Sequence, residues 1–230
     1  MSDFTEAERS AVYKAIALRR DIRRQFKPTP IPPEVLARLL AAAHQAGSVG
    51  FMQPWDFVVV RDPEIRRQVL ESFLRERDRA AGFYEGARRE LFLSLKLEGI
   101  MESAVNICVT CDRSRGGPHV LGRSTILDTD LYSTCCAIQN LWLAARSEGI
   151  GVGWVSILDP QVLGALLGLP DSVVAVAYLC VGYVDAFPEE PELQRVAWRR
   201  RLPLADLVHL DRWGRRLDPE LPPHLLSSPP

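Results

Sequence analysis

Gly149-Ile150-Gly151-Val152-Gly153-Trp154-Val155-Ser156 is the stretch on which the fold turns. It carries a G-x-G-x-G pattern, the spacing of a dinucleotide loop, but the order around it is wrong for one. In a Rossmann unit the glycines follow a strand and open a helix. Here the preceding segment, Asp130 to Ser147, is apolar almost all round (Leu131, Cys135, Ile138, Leu141, Trp142, Ala145), as a helix buried in a core or an interface is. The segment after the glycines, Val152 to Ile157, reads as a strand. A Rossmann reading is therefore rejected. Two roles stay open for the glycines: a helix stop with a tight turn, or close approach of a planar ring to the backbone.

Downstream, Asp159-Pro160 caps a short helix, and Val173 to Val184 supplies a further strand. Upstream, Ala104 to Cys111 reads as a buried strand, and Phe57 to Val60 as another that runs into a helix capped by Asp62-Pro63. Val35, Leu36, Leu39, Leu40 and Ala43 share one face of a helix opened by Pro32-Pro33 and closed by Gly47. Thr5 to Glu8 has capping-box spacing and starts a helix of about Glu6 to Leu18. The stretch from Glu64 to Gly99 is rich in Arg and Glu and predicts partly exposed helices, with Gly82 and Gly86 as separators. Asp112 to Ile126 is a long loop, and a loop of that length in a compact domain reads as a lid, with Ser94 to Ile100 as a second covering segment. Past Val184 the chain turns polar and proline-rich, which suits an arm better than a second core.

Composition narrows the function. The 230 residues are 47% hydrophobic, enough for a substantial core, and the formal net charge of -1 offers no global attraction to nucleic acid or an anionic membrane. Met1 to Ser10 lacks the apolar stretch of a secretory signal, and the longest apolar run is too short to span a bilayer, so a cytoplasmic protein is expected. Cys108 and Cys111 have CxxC spacing but lie on a strand, where i and i+3 side chains point to opposite faces, so no metal site is assigned. The four histidines are scattered, with no i, i+4 pair.

Arg19, Arg20 and Arg23 cluster at the end of the first helix, and Arg199, Arg200 and Arg201 cluster near the C-terminus. Guanidinium forks suit phosphate. Spacing alone does not separate a phosphate clamp from two solvated charge runs. Gln53-Pro54-Trp55 before the first strand reads by itself as a turn with a packed aromatic.

Taken in order, four motifs resemble the nitroreductase family: Arg19-Arg20-Asp21-Ile22-Arg23, Ser48 followed by Gln53-Pro54-Trp55, the Gly149 to Gly153 turn, and Arg199-Arg200-Arg201-Leu202-Pro203-Leu204. The resemblance implies an α+β nitroreductase-like fold with a mixed or antiparallel central sheet flanked by helices. It implies an interlocked homodimer with a C-terminal arm and FMN at the interface. The FMN domain would span residues 1–214, and 215–230 would be a polar, proline-rich tail outside the core. Carried onto this sequence, Arg19, Arg20, Asp21, Ile22, Arg23, Arg199 and Arg201 would hold the phosphate, ribityl chain or pyrimidine edge, with Ser48, Gln53, Gly153 and Ser156 near the ring.

A narrower resemblance, over about Phe4 to Gly214, is to the branch of that family that consumes its flavin to make 5,6-dimethylbenzimidazole, the lower ligand of cobalamin. It rests on Ser48 to Trp55, Ser94 to Ile100, Cys111 to Pro118 and Gly151 to Ser156. Asp21 stands where ordinary nitroreductases usually have Ser, and Phe51-Met52 where many carry a polar, Asn-containing stretch. The resemblance implies that reduced FMN is a substrate: O2 adds at the flavin C4a, the ring system fragments, and erythrose 4-phosphate leaves. NAD(P)H would be an indirect reductant, used by a separate flavin reductase. Asp21 would then move protons and Ser156 steer the oxygen chemistry, the two catalytic assignments. Read without the resemblance, Asp21 is a helix-end residue paired with Arg20 or Arg24, and Ser156 a strand hydroxyl bonded to backbone. A conventional NAD(P)H-dependent nitro- or flavin reductase is the alternative activity.

Overall fold

The computed structural model describes residues 3–215; all but the first residue of the tail expected over 215–230 lies outside them. Residues up to Phe187 form one compact unit and those from Pro188 a second. The first unit is built on a four-stranded antiparallel sheet ordered β1-β2-β4-β3, with β1 Trp55–Val60, β2 Val105–Asp112, β3 Ile150–Val155 and β4 Val173–Tyr183. The parallel component that would make the sheet mixed is confined to one isolated bridge, Asp21 to Val152.

Alternation along the strands explains why both faces are covered. Ile107, Val109, Ala177, Leu179 and Val181 belong to one core with α2 (Pro33–His44) and α5 (Thr129–Ser147). Their neighbours Cys108, Tyr178 and Cys180 belong to a second core with α3 (Pro63–Ala81) and α6 (Pro160–Leu167). A period of two sends successive side chains to opposite faces, so a strand covered on both sides reads as a continuous apolar run, as β2 and β4 do. Cys108 and Cys111 are both fully buried, and burial raises both thiol pKa values, that of Cys108 to about 12.

Helix positions follow the same logic. The α2 positions Val35, Leu36, Leu39 and Ala43 are buried on one stripe. On α5 the buried positions Asp130, Ser133, Thr134, Ala137, Ile138, Leu141, Trp142 and Ala145 recur at helical spacing. Composition suggested a helix buried all round, but Tyr132, Cys135 and Cys136 are exposed, because one face of α5 meets no other described part of the chain. The first helix, α1 (Glu6–Leu18), closes its N-terminus with the expected Thr5–Glu8 capping box. None of its residues is buried, and Val12, Tyr13 and Ile16 form an uncovered apolar stripe. Helix α4 (Gly86–Ser94) completes the unit, so the break in the charged stretch falls between Gly82 and Gly86.

The second unit, described by itself, carries a short helix α7 (Glu192–Arg195) and a 3-10 turn at Leu204–Asp206; none of its described residues is buried.

Candidate active site

The chain leaves α1 at Arg19, whose extended backbone ends the helix, and lies against β3. Ile22, fully buried, donates its N–H to the Val152 carbonyl at 3.0 Å. This approach is what the glycines permit. A Cβ on Gly153 would overlap the Ile22 carbonyl oxygen, and one on Gly151 would lie 2.9 Å from the Ile22 side chain. Close approach was one of two open roles for this turn; the group that approaches is the protein's own backbone. Ile22 is thus the anchor of the segment, its N–H already used.

Trp142 of α5 adds a second fixing point, its indole N–H donating to the Arg20 carbonyl at 3.2 Å while the Arg19 guanidinium lies 4.8 Å over the ring. Arg20 donates to the Ala17 and Arg19 carbonyls, satisfying acceptors freed at the end of α1.

With the backbone so held, the Asp21 carboxylate accepts the Trp154 N–H at 3.1 Å and forms an ion pair with Arg23. Arg23 is 13% exposed, and its Nε is buried with no hydrogen-bond partner among the described residues. A buried donor left open is an unsatisfied group that a bound acceptor would complete. Ser156 lies one residue beyond β3, exposed, and its hydroxyl makes no hydrogen bond among the described residues. The strand expected to run to Ile157 stops at Val155, so the reading of Ser156 as a strand hydroxyl tied to backbone does not hold.

The second group of predicted site residues is built differently. Ser48 precedes a 3-10 turn, Val49–Phe51, and its Oγ accepts the Gln53 N–H at 3.1 Å. Gly50, Phe51 and Gln53 all have left-handed backbones, with φ of 58°, 53° and 47°. For the two non-glycine residues that conformation costs on the order of 1 kcal/mol each, strain of the kind that collects at functional sites. Phe51 is 83% exposed at the tip. A cavity of about 600 Å³ is lined by Leu40, His44, Met52, Gln53, Trp55 and Arg115, among others. The Trp55 indole N–H donates to His44 Nδ1 at 3.1 Å.

These two groups stand at opposite edges of the sheet. Asp21, Arg23, Gly153 and Ser156 lie at the β3 edge, whereas Gln53 leads into β1, beyond β4 and β2. Asp21 lies level with the β4 residue Val181, and Trp55, through Cys111, level with Val174. Strand spacing of about 4.8 Å and a rise of about 3.3 Å per residue put Asp21 and Trp55 on the order of 30 Å apart within one chain. The structure thus brings together Arg19, Arg20, Asp21, Ile22, Arg23 and Gly153, sets Ser156 just past the end of β3, and keeps Ser48 and Gln53 apart from them. Arg199 and Arg201 belong to the second unit, where both are exposed just past α7.

Trp142 and Arg115 also hold site segments in place, through hydrogen bonds that no sequence motif marks. Trp142 looked like core, yet a buried indole carries an N–H that needs a partner, and that was its one visible signal. Arg115 sits in a loop full of charge, with nothing local to mark it. Among the described residues no group of three or more His, Cys, Asp or Glu side chains is placed to hold a metal ion.

The family model for the nitroreductase family matches residues 16–183. A protein of Rhodospirillum rubrum named 5,6-dimethylbenzimidazole synthase is 44% identical over 185 residues, 80% of this chain and 87% of that protein. One of the same name from Rhodobacter capsulatus is 38% identical over 93% of this chain and its own full length. Among solved structures, iodotyrosine deiodinase bound to FMN and 3-iodo-L-tyrosine superposes with a TM-score of 0.67 at 22% identity, covering 88% of this chain and 98% of that one. The NADPH:FMN oxidoreductase of Vibrio harveyi, complexed with NAD+, also reaches 0.67, at 23% identity over 90% of this chain and 80% of that one.

Proposed function

The chain belongs to the nitroreductase family, and on that premise we propose that it is a 5,6-dimethylbenzimidazole synthase that takes reduced FMN and O2 as its substrates. The products are 5,6-dimethylbenzimidazole, erythrose 4-phosphate and a third fragment that carries the four carbons and two nitrogens of the flavin's pyrimidine ring. The observation that carries the reading is Asp21. A carboxylate stands at the β3 edge, seated by the Trp154 N–H and Arg23, at the position where the resemblance leads one to expect a serine in an ordinary nitroreductase. Reduced flavin supplies the electrons that activate oxygen; breaking its ring system requires protons to be moved, and Asp21 is the group placed to move them. Ser156, with a free hydroxyl two residues past Trp154, donates to the ring edge that reacts with oxygen.

The residues fit the ligand. Arg23 pairs with Asp21 and its open Nε offers a buried donor for a phosphate or pyrimidine oxygen, while Arg19 and Arg20 stand next to it on the chain, held by Trp142 and by backbone carbonyls. Arg199 and Arg201, exposed in the second unit, are kept as proposed phosphate ligands on the family resemblance alone. Because Ser48 and Gln53 lie too far from Asp21 in one chain to touch the same ring, the site is shared by two copies of a homodimer. The uncovered stripe of α1 and the exposed face of α5 supply surface for that contact. A separate flavin reductase using NAD(P)H provides the reduced FMN. No described helix is long and apolar enough to cross a membrane.

The decisive experiment mixes purified protein with reduced FMN under argon, admits air, and looks for 5,6-dimethylbenzimidazole by mass spectrometry. Product in proportion to enzyme and time is expected. Rapid NAD(P)H oxidation on the bound flavin with none of that product would instead make the protein a conventional nitro- or flavin reductase.

A further inference from the structure

The segment between β2 and α5, read from its length as a lid, is tied at both ends. Asp130, fully buried in the first turn of α5, has Arg123 Nη2 at 2.6 Å and Arg113 Nε at 3.2 Å from its Oδ2. These are contacts of charge more than aligned hydrogen bonds, since the same oxygen has no partner of hydrogen-bond geometry. Arg123 also donates to the carbonyls of Arg113 and Leu127, closing the neck of the loop on itself. Further along, Arg115 donates to the carbonyls of Gln53 and Trp55 at 3.0 and 3.1 Å and pairs with Asp56 at 2.6 Å. The middle of the loop rests on the strained turn: Val120 and the Leu121 carbonyl lie so close over Gly50 that an added Cβ would meet them at 2.5 and 2.7 Å. One turn along α5 from Asp130, Ser133 Oγ accepts the Val49 N–H at 3.1 Å.

Resting on the reading that Ser48 and Gln53 face the flavin, we propose that Asp130 and Arg115 are positioning residues that lock residues 113–123 and the 48–53 turn into one preformed wall of the pocket. The wall does not open and close over the flavin. Asp130 holds the neck of the loop, and Arg115 passes that constraint to the carbonyl of Gln53, whose left-handed backbone would otherwise relax. Chelation by a planar fork of two carbonyls and a carboxylate is a task lysine performs only in part.

Trypsin cuts after arginine, so Arg113 and Arg123 report the state of the neck. In the wild-type protein without flavin, cleavage at these two positions should be slow and should change little when reduced FMN is added under argon. Arg115→Met should speed cleavage there roughly tenfold, the factor expected from losing a net hydrogen bond that held a local opening closed. It should weaken FMN affinity, followed by tryptophan fluorescence, by a similar factor, and Arg115→Lys should restore part of both. Asp130→Asn should act in the same direction where circular dichroism shows it folded; the Arg115 variants carry the test where it is not. Fast cleavage of the ligand-free wild type that FMN suppresses would show a moving lid and overturn the proposal, as would Arg115→Met with unchanged cleavage. Neither protease measurement requires turnover, so absence of 5,6-dimethylbenzimidazole would count against the functional reading alone.

Discussion

The two edges of the sheet solve the same problem, holding polar groups still, by different means. At the β3 edge the 19–23 segment is fixed by backbone: the Ile22 N–H on Val152, the Arg20 carbonyl under Trp142, and two glycines that leave room for it. At the β1 edge the 48–53 turn is fixed by side chains reaching across from elsewhere: Ser133, Arg115 and the loop anchored on Asp130. Backbone seating tolerates almost no change in volume, because a carbonyl oxygen cannot move without its strand. Side-chain seating is graded, because a shortened or neutral side chain weakens the tie without blocking the position. The acid that the proposed chemistry needs lies at the rigid edge, and the strained turn with exposed Phe51 lies at the adjustable one.

The sharpest way to break that contrast is Gly153→Ala. The new methyl would overlap the Ile22 carbonyl, and overpacking of this severity should cost about 3 kcal/mol. Thermal unfolding should then fall by roughly 6–12 °C, the shift expected for a chain of this size. Gly149→Ala is the control: no atom lies within 4 Å of its added Cβ, and its φ of 74° makes the penalty only about 1 kcal/mol. Equal melting temperatures for the two variants would mean that residues 19–23 are not seated on β3.

Next in size is Asp21→Asn. The amide oxygen can still accept from Trp154, but a donor now faces Arg23, so the pocket keeps its shape and loses its base. Product formation should drop by about 10²-fold, the usual contribution of a positioned acid or base, while FMN affinity measured by fluorescence stays within a few-fold. Near-normal product formation would return Asp21 to a structural partner of Arg23.

Separation of the two groups within one chain is tested by mixing. Copies carrying Asp21→Asn and copies carrying Gln53→Ala, each impaired alone, should regain up to about a quarter of wild-type activity when unfolded and refolded together, since a shared site in a mixed dimer is intact on one side. No recovery from a mixture shown by native mass spectrometry to contain mixed dimers would place a whole site in each chain.

The smallest expected change is Trp142→Phe, which keeps most of the ring and removes the N–H to the Arg20 carbonyl. A stability loss of about 1 kcal/mol, read by urea unfolding, fits one net hydrogen bond. A larger loss would show that Trp142 packing, not its N–H, holds the segment.

Much of this architecture is legible in the amino-acid sequence. The two apolar runs at Ile107 and Leu179, the α2 stripe and the capping box at Thr5 all depend on groups a few residues apart, and hydrogen bonds and burial at spacings of two, three and four leave a readable period. The order of helix, glycines and strand likewise rules out a dinucleotide loop. The remainder comes from tertiary contacts. That Gly153 makes room for the Ile22 carbonyl, that Asp21 is held by Trp154, and that buried Asp130 is the anchor of Arg113 and Arg123 all rest on contacts between parts of the chain with no shared period. The separation of Asp21 from Gln53 has the same origin: only the strand order β1-β2-β4-β3 sends these two segments, about thirty residues apart in sequence, to opposite edges of one sheet.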